Sequence, residues 1–147
     1  MTNTTETNTV VKEGQLAYGT VINADFALGA LHKVARGKRD YVYKDEFRLC
    51  QNFGEDDVTP QCIVGHVFAA WGFTFAECGN LNVSDAVDKL LMKRPDMVIT
   101  VGAVIALTAA QAVQDNGGTW GLGIETAVIT GRAASTGHVG ENLWPRA

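Results

Sequence analysis

The run from Met97 to Gln114 constrains the fold more than any other feature, because it carries no charged side chain and is flanked by Asp96 and Asp115. A run of this length must be buried, either in a bilayer or in the core of a protein. Its threonines and glutamines, and the absence of aromatic residues at both ends, are not typical of a membrane span. The sequence therefore predicts a central helix over about 99–114 that is buried on most sides.

Length and composition indicate one globular domain. The chain has 147 residues, of which 46% are hydrophobic and 19% are charged, so it can close a core without disulfides or metals. The formal charge of −4 provides no basic surface, which argues against binding to DNA or RNA. We therefore expect no nucleic-acid partner and no membrane partner.

Helix signals recur along the chain and predict a mainly α (α+β) fold. N-cap residues, apolar faces at helical spacing and terminal glycines or prolines predict about five helices packed as one small domain. Between the first two helices, aromatic and β-branched residues around a Gly/Asp-rich turn predict a short antiparallel β-hairpin around residues 41–62. The predicted helices cover about 23–36, 62–71, 85–93, 99–114 and 120–132.

Three parts of the chain differ in composition. Residues 1–13 begin with a Thr/Asn tract and predict a flexible N-terminal tail, residues 14–132 predict the single helical domain, and residues 133–147 predict an extended C-terminal tail. The first residues have no basic and apolar segments of the kind that make a secretory signal. Together with an odd cysteine count of 3, this predicts a cytoplasmic protein with free thiols.

Soft ligand-type side chains are concentrated between Cys50 and Cys78. Cys62 and His66 lie one turn apart on a predicted helix, with Cys62 in the first turn, where the helix dipole favours a thiolate. A thiolate beside an imidazole is an activated nucleophile. His138, in a His-Val-Gly stretch, is a further catalytic candidate, because the pattern is loosely similar to cell-wall cysteine peptidases, although their Asp-Cys-Ser-Gly box is missing.

The same cysteines allow three other interpretations. Cys50, Cys62, His66 and Cys78 are the residue types that bind zinc, but they lack a close Cys-x2-4-Cys pair. A disulfide between Cys50 and Cys62 would close the predicted hairpin in an oxidising compartment. Buried packing is the interpretation that we favour, because free cysteine is among the most buried residue types. We therefore assign no catalytic residue, metal or cofactor at this stage.

Two segments carry a recognisable pattern. Segment 40–68 contains Cys50 and then Pro60-x-Cys62-x-x-Gly65-His66, and segment 110–127 contains Gln111-x-x-Gln114-Asp115-x-Gly117-x-Thr119-Trp120-Gly121. Together they resemble a group of small uncharacterised proteins from actinobacteria and especially from their bacteriophages. The resemblance implies an intracellular protein of a bacterial host, expressed from a phage or prophage gene, and it carries no activity or cofactor. It favours an accessory protein that binds and regulates a host component. Independently of the resemblance, the long apolar helix Ile99 to Gln114 suggests a homodimer, because a domain this small would leave part of it uncovered. The alternative is an enzyme or zinc-stabilised factor centred on Cys62 and His66.

Overall fold

The computed structural model describes residues 16, 19–43, 52–54, 56, 58–136 and 142–146. Within these residues it contains six helices and a two-stranded sheet, so the prediction of a mainly helical fold with about five helices is confirmed. The elements are β1 (Val21–Ile22), α1 (Ala24–Val34), α2 (Ile63–Ala70), α3 (Phe75–Cys78), α4 (Val83–Lys93), β2 (Val98–Ile99), α5 (Val101–Asp115) and α6 (Trp120–Thr136).

Polar side chains fix where the helices begin. Asn23 caps α1 by accepting a hydrogen bond from the Phe26 backbone N–H at 2.9 Å. Thr100 caps α5 in the same way, accepting from the Ala103 N–H at 3.2 Å. The central helix therefore begins after Thr100 rather than at Ile99, which belongs to β2.

The two strands are parallel and come from distant parts of the chain. Val21 pairs with Val98, and Ile22 pairs with Ile99. The Thr100 N–H extends this pairing by donating to the Ile22 carbonyl at 2.9 Å. The sheet thus joins the entrance of α1 to the entrance of α5.

The antiparallel hairpin predicted around residues 41–62 is wrong as a description of the sheet. The described part of that span contains no strand, and the pairing within it is an isolated antiparallel bridge between Phe53 and Pro60. The remaining residues of the span lie outside the described part of the chain. Val42 instead bridges to Thr119, because the start of α6 takes up the hydrogen bonds of this segment. In the described part of this span, Tyr41 and Val42 therefore pair with the chain at the start of α6.

α5 and α6 form a closely packed antiparallel pair at the centre of the molecule, and α1 packs against both. A Cβ atom added at Gly123 would lie 3.1 Å from the Ala110 carbonyl oxygen, and one added at Gly131 would lie 3.2 Å from the Ala106 Cβ. Glycine in α6 thus permits a close approach to the small residues of α5. The core on the inner side of this pair includes Leu31, Phe68, Leu90, Leu107 and Ile124.

The last described residues pack on β2 and α4. The Trp144 N–H donates to the Ile99 carbonyl at 2.9 Å, and the Val101 N–H donates to the Asn142 carbonyl at 2.7 Å. The Trp144 indole N–H also donates to Asp88 Oδ1 at 2.7 Å. Residues 142–146 are therefore tied to the domain by backbone and side-chain hydrogen bonds.

Two predictions about chain organisation remain. Residues 1–13 lie outside the described part of the chain, and the division between 14–132 and 133–147 stays a prediction, although α6 itself continues to Thr136. Among the described helices, none combines the length and the apolar character needed to cross a bilayer.

Candidate functional site

Cys62 is the N-cap of α2 and is fully buried, with 0% of its surface exposed. Its Sγ accepts a hydrogen bond from the Gly65 backbone N–H at 3.3 Å and donates one to Asn52 Oδ1 at 3.2 Å. Asn52 is itself buried and donates to the carbonyl oxygens of Gly79 at 2.9 Å and Leu81 at 3.1 Å. The thiol and the amide together join the start of α2 to the turn that follows α3.

Two buried glutamines of α5 complete the N-terminus of α2. The Ile63 N–H donates to Gln114 Oε1 at 2.7 Å, and the Val64 N–H donates to Gln111 Oε1 at 3.3 Å. The first N–H groups of a helix have no partner within the helix, which is why such ends attract anions. Here the first two N–H groups bind glutamines and the third, that of Gly65, binds the cysteine sulfur. Neutral groups of the protein itself therefore accept the hydrogen bonds at the positive end of the α2 dipole.

Trp120 and Asp115 hold the glutamines in this orientation. The Trp120 indole N–H donates to Gln114 Oε1 at 2.9 Å. Asp115 Oδ1 accepts from the side-chain amides of Gln111 and Gln114, each at 3.2 Å. Although Asp115 lies at the surface, partial desolvation raises the pKa of its carboxyl group, and the two amide hydrogen bonds act in the opposite direction. Both amide oxygens consequently point toward α2.

His66 binds the backbone of Cys62 rather than its thiol. The ring Nδ1 lies 3.0 Å from the Cys62 carbonyl oxygen, and since a carbonyl can only accept, Nδ1 carries the proton and Nε2 has the lone pair. The ring packs against Trp120 in a T-shaped contact, with 5.2 Å between the ring centroids. Burial lowers the pKa of His66, the hydrogen bond to Cys62 raises it, and the charge of Lys38 lowers it further. The imidazole is therefore a neutral, oriented group packed against α6.

Cys78 is separately buried in α3. Its Sγ donates to the Thr74 carbonyl oxygen at 3.2 Å. Burial, with a smaller contribution from the negative charge of Glu77, raises the pKa of the Cys78 thiol to about 12. This thiol stays protonated at any physiological pH.

The structure does not bring the predicted zinc ligands together as a set. Within the described residues, no three His, Cys, Asp or Glu side chains lie close enough to share a metal ion, and this applies to Cys62, His66 and Cys78. Cys78 is a free thiol. Cys50 and His138 lie outside the described residues, so the Cys50–Cys62 disulfide and the role of His138 stay predictions.

The sequence pattern that carries the resemblance converges on this one place. Gln111, Gln114, Asp115 and Trp120 all serve the N-terminus of α2, which begins at the Cys62 cap. Sequence reasoning missed the glutamines as capping groups. The signal that could have found them is a pair of amides one turn apart inside a run that is otherwise apolar and uncharged.

Asn52 was also missed, because a single asparagine beside a turn carries no signal of its burial. Every buried side-chain nitrogen and oxygen in the described residues has a hydrogen-bond partner, so the network is saturated. Chemically, the arrangement can hold a helix end rigidly, whereas a nucleophilic thiol would need an exposed sulfur and an acceptor for its proton in His66. No protein-family model, curated protein or solved structure matches this chain.

Proposed function

We propose that this protein is a binding module that acts in a bacterial host by protein–protein contact, with a host component or a second copy of the chain as its partner. The contact surface would be an uncharged side of the central helix pair. We call it the α5–α6 face, and it consists of Ala109, Ala112, Val113, Leu122, Thr126 and Ile129.

The shape and chemistry of this face carry the proposal. A groove of about 380 Å³ runs between α5 and α6 and is lined by Ala112, Val113 and Leu122 among others. Leu122 is 51% exposed, and Ile129, about two turns further along α6, is 72% exposed. Large aliphatic side chains in water are not favoured by folding, and a contiguous apolar surface is typical of a site that is covered by another protein.

The interior supports the same proposal. Cys62 and His66 are the candidate reactive residues of the sequence, and both form hydrogen bonds at the N-terminal end of α2. A substrate would reach the Cys62 sulfur only after α2 moved, because none of the residue is exposed. Function through the outer surface requires no such movement.

The test uses a photo-crosslinking residue at position 122 in the tagged protein, expressed in a bacterial host. The same residue at Met92, an apolar position on α4 that is 75% exposed, is the matched control. We expect one protein to be crosslinked from position 122 and absent from position 92. The identified protein is then purified and titrated against the wild type, Leu122→Glu and Met92→Glu.

We expect Leu122→Glu to weaken the complex at least tenfold, about 1.4 kcal/mol, and Met92→Glu to leave it unchanged. Equal crosslinking from both positions, or equal affinity of both variants, would contradict the proposal. Circular dichroism of the two variants checks that each remains folded.

A further inference from the structure

The exposed side of α6 carries one charge of each sign beside its apolar residues. Glu125 and Arg132 lie about two helical turns apart, so both are on the same side of the helix. Ile129 lies between them, and Leu122 lies one turn before Glu125. The two charges flank the edge of the face that is remote from α5, since Leu122 and Thr126 line the groove toward α5.

Neither Glu125 nor Arg132 forms a buried ion pair within the described residues. Glu125 Oε2 accepts from Arg39 at 3.1 Å, but the two side chains are 66% and 49% exposed, and exposed ion pairs contribute little. Arg132 is exposed and makes no ion pair within the described residues. Both charges are therefore available to a partner that covers Ile129.

We infer that a second copy of this chain covers the α5–α6 face, with α6 of one copy antiparallel to α6 of its partner. A two-fold axis that passes between the two copies of α6, perpendicular to both and level with Val128 and Ile129, reverses the direction of the partner helix but keeps each edge on the same side. Glu125 of each copy then lies opposite Arg132 of the other, and the pair forms twice. The inference rests on the proposed function, because it names the protein that occupies the same face.

Charge complementarity selects this arrangement. In a parallel alignment, each residue would lie level with the same residue of the partner. The charged edge of one copy would then lie on the opposite side of the interface from the charged edge of the other, so no Glu125–Arg132 pair would form between the copies. At the edge nearer to α5, the groove of the partner would face Ala109, Ala112 and Val113. These residues carry no charge, so the same residues of the two copies can approach each other without electrostatic repulsion. The interface would contain four helices, two from each copy.

The size of the α5–α6 face limits the affinity of the dimer. A stable interface of standard size buries about 800 Å² on each partner and uses roughly 20–30 residues a side, and this face with Glu125 and Arg132 has about a third of that number. We therefore expect a dimer with a dissociation constant of roughly 10–100 μM.

Sedimentation equilibrium of the full chain from about 5 to 500 μM measures this directly. We expect the mass to rise from one chain to two. Ile129→Glu should remain monomeric over the whole range, while the exposed Met92→Glu should dimerise like the wild type. A wild type that stays monomeric, or a dimer insensitive to Ile129→Glu, overturns the inference.

Charge reversal tests the alignment. Glu125→Arg and Arg132→Glu each place like charges opposite each other, and each should weaken dimerisation about tenfold. The double variant restores both pairs in reversed order and should recover the affinity to within about threefold. A double variant weaker than either single variant overturns the antiparallel alignment.

The outcome is distinguishable from failure of the proposed function. If the wild type stays monomeric but crosslinks a different protein from position 122, the second copy is excluded as the occupant of the face, and the proposed binding function stands. If position 122 crosslinks no protein and the chain does not dimerise, both the proposed binding function and the dimer are excluded.

Discussion

At position 65 the backbone of α2 meets the backbone of Asn52, and there is room for only a hydrogen atom between them. A Cβ atom added to Gly65 would lie 2.1 Å from the Asn52 carbonyl oxygen and 2.7 Å from its Cα. Backbone atoms cannot rotate away as a side chain would. We expect Gly65→Ala to lower the free energy of unfolding by about 2–4 kcal/mol, measured by urea denaturation.

Gly29 provides the matched control, because it also lies within a helix. A Cβ atom added there meets no atom within 4 Å, and the residue is exposed. Gly29→Ala should therefore raise the free energy of unfolding by about 0.5–1 kcal/mol through helix propensity alone. Equal effects of the two substitutions would show that α2 does not press on Asn52.

Gln114 is the residue on which the capping network depends. Gln114→Leu would leave the Ile63 N–H and the Trp120 indole N–H without their acceptor, and both groups are buried. We expect a loss of about 2–4 kcal/mol in the free energy of unfolding. Gln111→Leu removes one acceptor at a longer distance, 3.3 Å, and should cost about half as much. A reversed order of the two losses would contradict this network.

Residue types alone allowed a reactive or metal-binding pair at Cys62 and His66 as an alternative to the buried packing that we favoured. Their spacing on one helix was predicted, and it is present. The identity of the group that binds the thiol was not predictable, since Asn52 reaches it through the tertiary fold and not through a sequence period. Side-chain chemistry can be read from sequence, but the partner of each side chain depends on packing.

Among the elements, helices with a polar cap and an apolar face were predictable, and the smallest elements were not. The helix ending before Gly72 was predicted, and Gly72 has the positive φ of 84° that ends it. The short helix α3 was missed, although Thr74 and Glu77 form a complete capping box. The parallel sheet was missed because strands of two residues have no periodicity to detect.

One ion pair connects elements and predicts a dependence of stability on pH. Arg94 donates to both carboxylate oxygens of Glu77, at 2.6 and 2.8 Å, and to the Gly72 carbonyl at 3.1 Å. The hydrogen bonds from Arg94 hold the pKa of Glu77 below its ordinary value. A carboxyl group with a lowered pKa stabilises the fold above its unfolded pKa, and this contribution is lost as the pH falls through the folded value.

We therefore expect Glu77→Gln to destabilise the protein by about 1–2 kcal/mol at pH 7, with a difference that shrinks below about pH 4.3. Glutamine can still accept the Thr74 N–H, so the change reports the charge and not the cap. Glu125→Gln removes an exposed ion pair with Arg39 and should have no measurable effect on stability at either pH. A Glu77→Gln difference that is constant from pH 7 to pH 3 would exclude the ion pair as its cause.

For the whole molecule, the sequence predicted a central uncharged helix but not the side on which it remains uncovered. α5 buries Ala103, Leu107 and Ala110 completely, yet leaves Ala112 exposed. A helix with apolar residues all around offers no polar side from which its orientation can be inferred. The packing of α1, α2, α4 and α6 against α5 determines which side is left exposed.

The accessibility of the thiols tests the fold as a unit. Cys62 and Cys78 are both fully buried, so a thiol reagent can reach them only when the domain opens. In a Cys50→Ser background, we expect both to react with Ellman's reagent at a rate proportional to the open fraction, and both to react at once in denaturant.

Destabilisation should then raise the labelling rate by a known factor. If Gly65→Ala removes about 2–4 kcal/mol, both thiols should react roughly 30 to 1000 times faster in that variant, since each 1.4 kcal/mol is tenfold. Peptide mapping after brief labelling assigns the rate to each cysteine. A Cys62 that reacts within seconds in the native protein, while Cys78 stays protected, would mean that the N-cap sulfur is open to solvent, and the thiol would then return as a nucleophile.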